Sequence, residues 1–303
     1  LAALAGGVST PRLRVFVARG VAAPSSGVRV SDVADVRFGM KSGANGFFHL
    51  EQVAPRRYRS ALGGEVELDP SDVHPLLSSL KEVRAPEWAE PARLLFRPRA
   101  DTPTAGAYVA RGEALGIPLR PSCAGRRPWW RIAAGRGPAP VLYPAKVGAR
   151  AFAFLNSGGL CEDKKWHALF PRDVEPGLLA TVLGATPVRL AIDLAARQLT
   201  GAQAIADVDC GVVAGAPFPA REALRAVETR LETCRRALAR DPVTTDLAAT
   251  LARPAQEELD GLVGAALGMT TAAVAGARAE MLRRVEARLA HAEHVREAIR
   301  RAG

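Results

Sequence analysis

The chain has 303 residues, with Lys plus Arg 41 against Asp plus Glu 31, a formal net charge of +10. That length can bury a sizeable core and hold two domains. The positive balance favours an anionic partner, with nucleic acid the first candidate, although a solvated basic surface gives the same charge.

Leu1 rather than Met opens the chain, which points to a fragment or a processed product. Leu1 to Gly7 is apolar but too short to span a bilayer, and it has no basic lead. No later apolar run reaches spanning length without charges, so a cytoplasmic protein with no membrane partner is expected. The four cysteines, Cys123, Cys161, Cys210 and Cys234, are widely spaced and form no zinc-type cluster. They read as free thiols in a reducing compartment. His291 and His294 lie three apart on an expected helix, which is a solvated face rather than a metal site.

Residues 1–27 read as a connector, with one short strand over Arg12 to Val17 and a linker from Ala22 to Gly27. Residues 28–218 read as a β-rich body punctuated by Pro and Gly. Within it, Gly39 to Leu50 (GMKSGANGFFHL) is expected to be strand, glycine-rich loop, strand. Gly39, Gly43 and Gly46 let backbone N–H groups approach an anion closely, and Lys41, Ser42 and Asn45 add polar groups. The same residues also suit an ordinary hairpin turn.

Further strands are expected at Val66 to Leu68, Arg93 to Phe96, Val141 to Tyr143, Arg150 to Asn156 and Asp207 to Val213. A short helix is expected over Asp72 to Leu80, opened by a capping Asp. Pro176 to Arg197 has helical spacing split or kinked at Pro187.

From 219 to 303 the pattern becomes all-helical. Leu224, Val227, Leu231, Cys234 and Leu238 form one narrow apolar seam; Leu282, Val285, Leu289 and Ala292 form another. The two are suited to an antiparallel, coiled-coil-like hairpin. Between them, Ala255 to Leu267 is a helix stopped by Gly268, with Thr270 or Thr271 capping the next. The expected class is therefore α+β, a β-rich body followed by an all-α tail.

Several clusters suit nucleic acid. Arg126-Arg127-Pro128-Trp129-Trp130-Arg131 interleaves guanidiniums and indoles that bind phosphates, read guanine edges or stack, unless the tryptophans are core anchors. Lys146 and Arg150 flank Gly148, and Lys164 and Lys165 follow the Ser157-Gly158-Gly159 turn. Loops at strand ends commonly carry contacts, although solvated lysines look the same in sequence.

The G-x-x-S-G-x-N-x-F-F run from Gly39 to Phe48 resembles the start of the target-recognition domain of bacterial adenine-N6 DNA methyltransferases of the type II and IIG restriction–modification class. Three further blocks fall in that family's order: Arg126 to Arg131, Leu155-Asn156-Ser157, and Glu257-Glu258-Leu259-Asp260. The resemblance spans roughly residues 28 to 300. It implies duplex DNA as partner, a helical tail that braces the recognition body, and a methyltransferase catalytic domain in cis or in trans. The family's S-adenosylmethionine loop and its Asn/Asp-Pro-Pro-Tyr/Phe motif, which holds a flipped adenine, have no counterpart here. The resemblance thus implies the recognition half alone. Lys41, Ser42, Gly43, Asn45, Arg126, Arg127, Trp130, Arg131, Lys146, Arg150, Lys164, Lys165 and Gln203 would be its DNA-binding residues, with no catalytic or cofactor-binding residue in this chain. The alternative is a non-catalytic specificity subunit, or a protein-interaction module, docking through its C-terminal helices.

Overall fold

The computed structural model describes residues 27–98, 102–132, 136–149, 152–199 and 202–302. The connector strand expected at Arg12 to Val17 and the candidate Arg150 lie outside the described residues.

A one-turn helix, α1 (Val30–Val33), leads into β1 (Ala34–Phe38). After a six-residue loop (39–44) and a second single turn, α2 (Asn45–Phe48), the chain forms β2 (His49–Ala54), β3 (Arg57–Ser60), β4 (Gly64–Glu67) and β5 (Val73–Leu77). The short pair β6 (Val83–Ala85) and β7 (Trp88–Ala89) precedes β8 (Arg93–Phe96), α3 (Pro103–Ala114) and α4 (Pro121–Ala124). Then come β9 (Val141–Pro144), β10 (Lys146–Val147), β11 (Phe154–Leu155), β12 (Cys161–Glu162) and β13 (Trp166–Pro171). Helices α5 (Pro176–Gly184) and α6 (Thr186–Ala195) follow, then β14 (Arg197–Gln198) and β15 (Ala206–Asp207). The remainder is helical: α7 (Cys210–Ala214), α8 (Arg221–Arg225), α9 (Glu228–Leu238), α10 (Leu247–Leu251), α11 (Pro254–Ala266) and α12 (Thr271–Ala302). The fold is α+β, as the sequence pattern implies.

One sheet has the order β12-β5-β8-β2-β3-β4 and another β1-β13-β9-β11; β10-β15-β14 form a third. Strands do flank the glycine-rich loop, as expected, but the hairpin alternative is overturned. β1 and β2 belong to different sheets, so Gly39 to Asn45 crosses between sheets instead of closing a hairpin. Asn45 to Phe48 is a helical turn because Phe47 and Phe48 both point into the core, which an alternating strand cannot do. Phe47 stacks on Tyr108 at 4.3 Å, meets Phe48 edge-on at 5.2 Å, and receives the Tyr108 hydroxyl on its carbonyl at 2.7 Å.

Three other expectations change. Asp72 to Leu80 is not a helix. Asp69 caps a 3₁₀ turn, and Val73–Leu77 is a strand paired antiparallel with β8 and parallel with β12. The β-branched Val73 and the ring of Pro75 disfavour a helix there, and Asp72 instead accepts a hydrogen bond from the Thr102 hydroxyl at 2.5 Å. In Asp207 to Val213 the strand stops at Asp207, because the Asp209 carboxylate accepts from Val212 N at 2.8 Å and starts α7. Of Arg150 to Asn156, only Phe154–Leu155 is strand among the described residues.

The break between α5 and α6 falls at Ala185, where the axes bend by 71°. Pro187 sits in the first turn of α6, where its missing N–H costs nothing. No single described helix is long and apolar enough to cross a membrane.

The two apolar seams do not pair with each other as a hairpin. α9 packs on α11 and α5, whereas α12 packs on α6, α10 and α11. The largest core joins Val30, Leu169, Leu183 and Leu190 to Leu231, Val263 and Met281, so body and tail share one apolar interior. Gly268, at φ +76°, ends the α11 turn, and Thr270 Oγ1 accepts from Ala273 N at 3.2 Å to start α12. Two buried carboxylates fasten α12. Asp193 Oδ1 accepts from Arg284 Nε at 2.6 Å and its other oxygen pairs with Arg288; Asp260 pairs with Arg278 at 2.7 Å.

Candidate nucleic-acid interface

The crossing loop is lashed to the β12–β13 turn. Gly39 N donates to Trp166 O at 2.9 Å and Met40 N to Glu162 O at 3.0 Å. A Cβ on Gly39 would collide with the Asp163 backbone. Gly43 has φ +80°, and a Cβ there would lie 2.7 Å from that of Ser122. Both glycines therefore serve close approach within the fold. Ser42 is buried. Its hydroxyl donates to Asn45 Oδ1 at 2.5 Å and accepts from Ala44 N at 3.2 Å, so the pair fixes the loop's shape. Lys41 and Asn45 are exposed.

Arg126 reaches the same loop. Its guanidinium donates to Ser42 O at 2.6 Å, contacts Cys123 Sγ at 3.0 Å and lies 5.5 Å from the Phe48 ring centroid. Arg126 braces the loop through Nη2, while Nη1 lies 3.4 Å from Lys41 O. Arg127 is exposed and donates to Ala124 O at 2.7 Å. Trp129 is the structural member of the tryptophan pair, buried with Nε1 donating to Glu113 at 3.3 Å. Trp130 is half-buried, with the Arg131 guanidinium 5.4 Å over its ring.

Lys164 is exposed on the β12–β13 turn. The Lys165 ammonium donates to Ser78 O at 2.6 Å, and its carbonyl accepts from Ala145 N at 2.9 Å, which sets the start of β10 and exposed Lys146 beside it. Gln203 is exposed on the β14–β15 connection, next to Ala202, whose carbonyl accepts from Arg296 at 3.0 Å. The fold thus gathers residues 39–45, 121–131 and 161–166 through direct bonds. Lys146, in β10, borders that group through its neighbour Ala145, whereas Gln203 lies in the β14–β15 connection beside the Arg296 contact on α12.

Sequence reasoning passed over the aromatic–cation pairs beside the loop. β1 runs from buried Ala34 to the surface, which leaves Phe38 53% exposed. Lys41 Nζ lies 4.9 Å over the Phe38 ring, and Arg136 Nη1 donates to Phe38 O at 2.9 Å. The guanidiniums of Arg37 and Arg136 lie 5.7 and 5.3 Å from Phe170. Arg136 is also paired with buried Glu162, whose carboxyl burial pushes up despite that partner. The signal was the Arg37-Phe38 dipeptide at the strand's exposed end. An exposed ring beside cations suits base stacking next to phosphate contacts.

Beneath Phe38, His167 is buried; its Nε2 donates to Val208 O at 2.8 Å and Nδ1 accepts from Cys210 at 3.2 Å. Burial lowers the His167 pKa and raises that of Cys210, which leaves a neutral imidazole and a thiol. The pair is a packed support, not an activated nucleophile. His49, beside Arg93 and Lys165, is pushed down to about 4, first by burial and then by those cations.

The chain is thus an α+β protein whose β-rich body gathers basic and aromatic loops and shares one apolar interior with a helical tail. No protein-family model and no curated protein matches the chain. Among solved structures, it is similar in fold to part of MmeI, a type IIL restriction–modification enzyme whose structure was determined in complex with DNA. The TM-score is 0.56 at 12% identity, over 89% of this chain and 37% of that one. This chain therefore spans well under half of that protein's length.

Proposed function

We infer that this chain is the duplex-DNA target-recognition part, residues 28–218 with a bracing tail at 219–303, of an S-adenosylmethionine-dependent adenine-N6 DNA methyltransferase in restriction–modification or phage defence. The observation that carries the reading is the fold likeness, over nearly the whole chain, to a restriction–modification enzyme solved with DNA. The resemblance of the Gly39–Phe48 run and the loop geometry support it independently. Lys41, Arg127, Lys146 and Lys164 fix phosphates, and Phe38, Trp130 and Arg131 approach bases. The catalytic domain and its S-adenosylmethionine lie elsewhere, in cis or in trans, so this chain alone transfers no methyl group.

Selection of bound sequences from a random duplex library tests the recognition claim. Enrichment of one short motif containing adenine is expected. Retention of DNA without any enrichment, or methyl transfer by the isolated chain, contradicts the reading.

A further inference from the structure

A cavity of ≈ 90 Å³ lies where body and tail meet, lined among others by Phe152, Thr181, Arg189, Leu247, Gln256 and Leu259. Its walls are mostly apolar. The polar side chains around it are already engaged. The Thr181 hydroxyl donates to Gly177 O at 2.7 Å, the Gln256 amide donates to Asp260 at 2.8 Å, and Arg235 pairs with Glu232 and Glu87. Arg189 differs. It is 3% exposed, its Nε is buried without a partner, and its guanidinium makes no hydrogen bond among the described residues.

The surrounding charge does not balance either. Asp193 and Asp260 are the carboxylates that act on Arg189. Asp193 is taken by Arg284 and Arg288, and Asp260 by Arg278, Gln256 and Thr186 N at 2.7 Å. Four guanidiniums (Arg189, Arg278, Arg284, Arg288) thus share two carboxylates, leaving two positive charges in excess. Burial lowers the Arg189 pKa, yet an arginine begins so high that it keeps its proton. A buried, unpaired charge is costly, and a bound counter-ion removes that cost.

We propose that this cavity is a binding site for a small aliphatic carboxylate, its oxygens on the Arg189 guanidinium and its short apolar body against Phe152, Leu247 and Leu259. A carboxylate matches the planar donor fork of arginine, and the apolar walls favour a carbon tail over a hydrated inorganic anion. Because the lining comes from both the body and the tail, occupancy ties the two together. Ordered water is the rival occupant, since the volume holds several molecules.

The test is thermal unfolding of the full chain in acetate, propionate, chloride and sulfate at matched ionic strength, for the wild type and Arg189→Met. A saturable rise of roughly 5 °C with propionate in the wild type, absent in Arg189→Met, is expected. No rise, an equal rise in both proteins, or an equal rise with chloride or sulfate overturns the proposal. If Arg189→Met does not fold, a crystal structure of the wild type grown in propionate decides. A carboxylate within hydrogen-bond distance of the guanidinium supports the site, and water alone there overturns it.

Discussion

At the scale of single residues, the structure separates cations that hold the fold from cations that face outward. Arg126 reads as a base-reading residue in sequence, and in the structure its Nη2 bonds Ser42 O and contacts Cys123, which braces the loop. Arg126→Ala leaves that carbonyl unpaired and is expected to cost about 1–3 kcal/mol of stability, read by urea unfolding. Lys41→Ala removes an exposed ammonium over Phe38 and should leave the unfolding midpoint unchanged. It should lower DNA affinity uniformly across sequences and reduce the salt slope by about one. An affinity loss confined to one sequence would contradict a phosphate role. His49 supplies a pH test. Its folded pKa, about 4, lies below the ordinary 6.5, so its contribution is full above pH 6.5 and is lost as pH falls through 4. Stability is expected to fall over that window, and to fall by less in His49→Gln.

At the scale of elements, legibility followed how local the controlling force was. The buried strands Arg93–Phe96 and Val141–Pro144, and the Gly268 stop before α12, are written in short-range pattern and were readable. Asp72 to Leu80 was misread because two competing caps, Asp69 and Asp72, stand three residues apart, and the choice falls to pairing with β8. The seam of α9 was visible, but its partner was not. The spacing of apolar residues says that a face is buried, not against what, and the partner is α11 rather than α12. What holds α12 instead is Asp193 on α6. Asp193→Ala leaves the guanidiniums of Arg284 and Arg288, 9% and 11% exposed, without their carboxylate. A loss of about 3–5 kcal/mol is expected, with faster amide exchange along α12. Unchanged exchange there would show that the pairs do not anchor the helix.

At the scale of the whole molecule, two sheets meet at a loop that neither owns, and one apolar interior runs from Val30 through Leu190 to Met281. Removing residues 219–303 strips Leu231, Val263 and Met281 from that interior. The shortened chain is expected to lose cooperative unfolding, so binding tests need the full chain; a sharp melt of residues 1–218 would contradict this. The candidate interface was only partly legible. Lys41, Lys164 and Lys146 were visible as loop cations, but the proximity of residues 39–45, 121–131 and 161–166 depends on long-range bonds that no local pattern announces. Phe38 escaped notice because an aromatic at a strand's end reads as core until its 53% exposure is seen.

The most direct test of DNA recognition is fluorescence anisotropy of a labelled random-sequence duplex titrated with the full chain at a series of salt concentrations. Binding at low salt is expected, weakening steeply and log-linearly as salt rises, as phosphate neutralisation requires. No binding at low salt, or binding indifferent to salt, would contradict it.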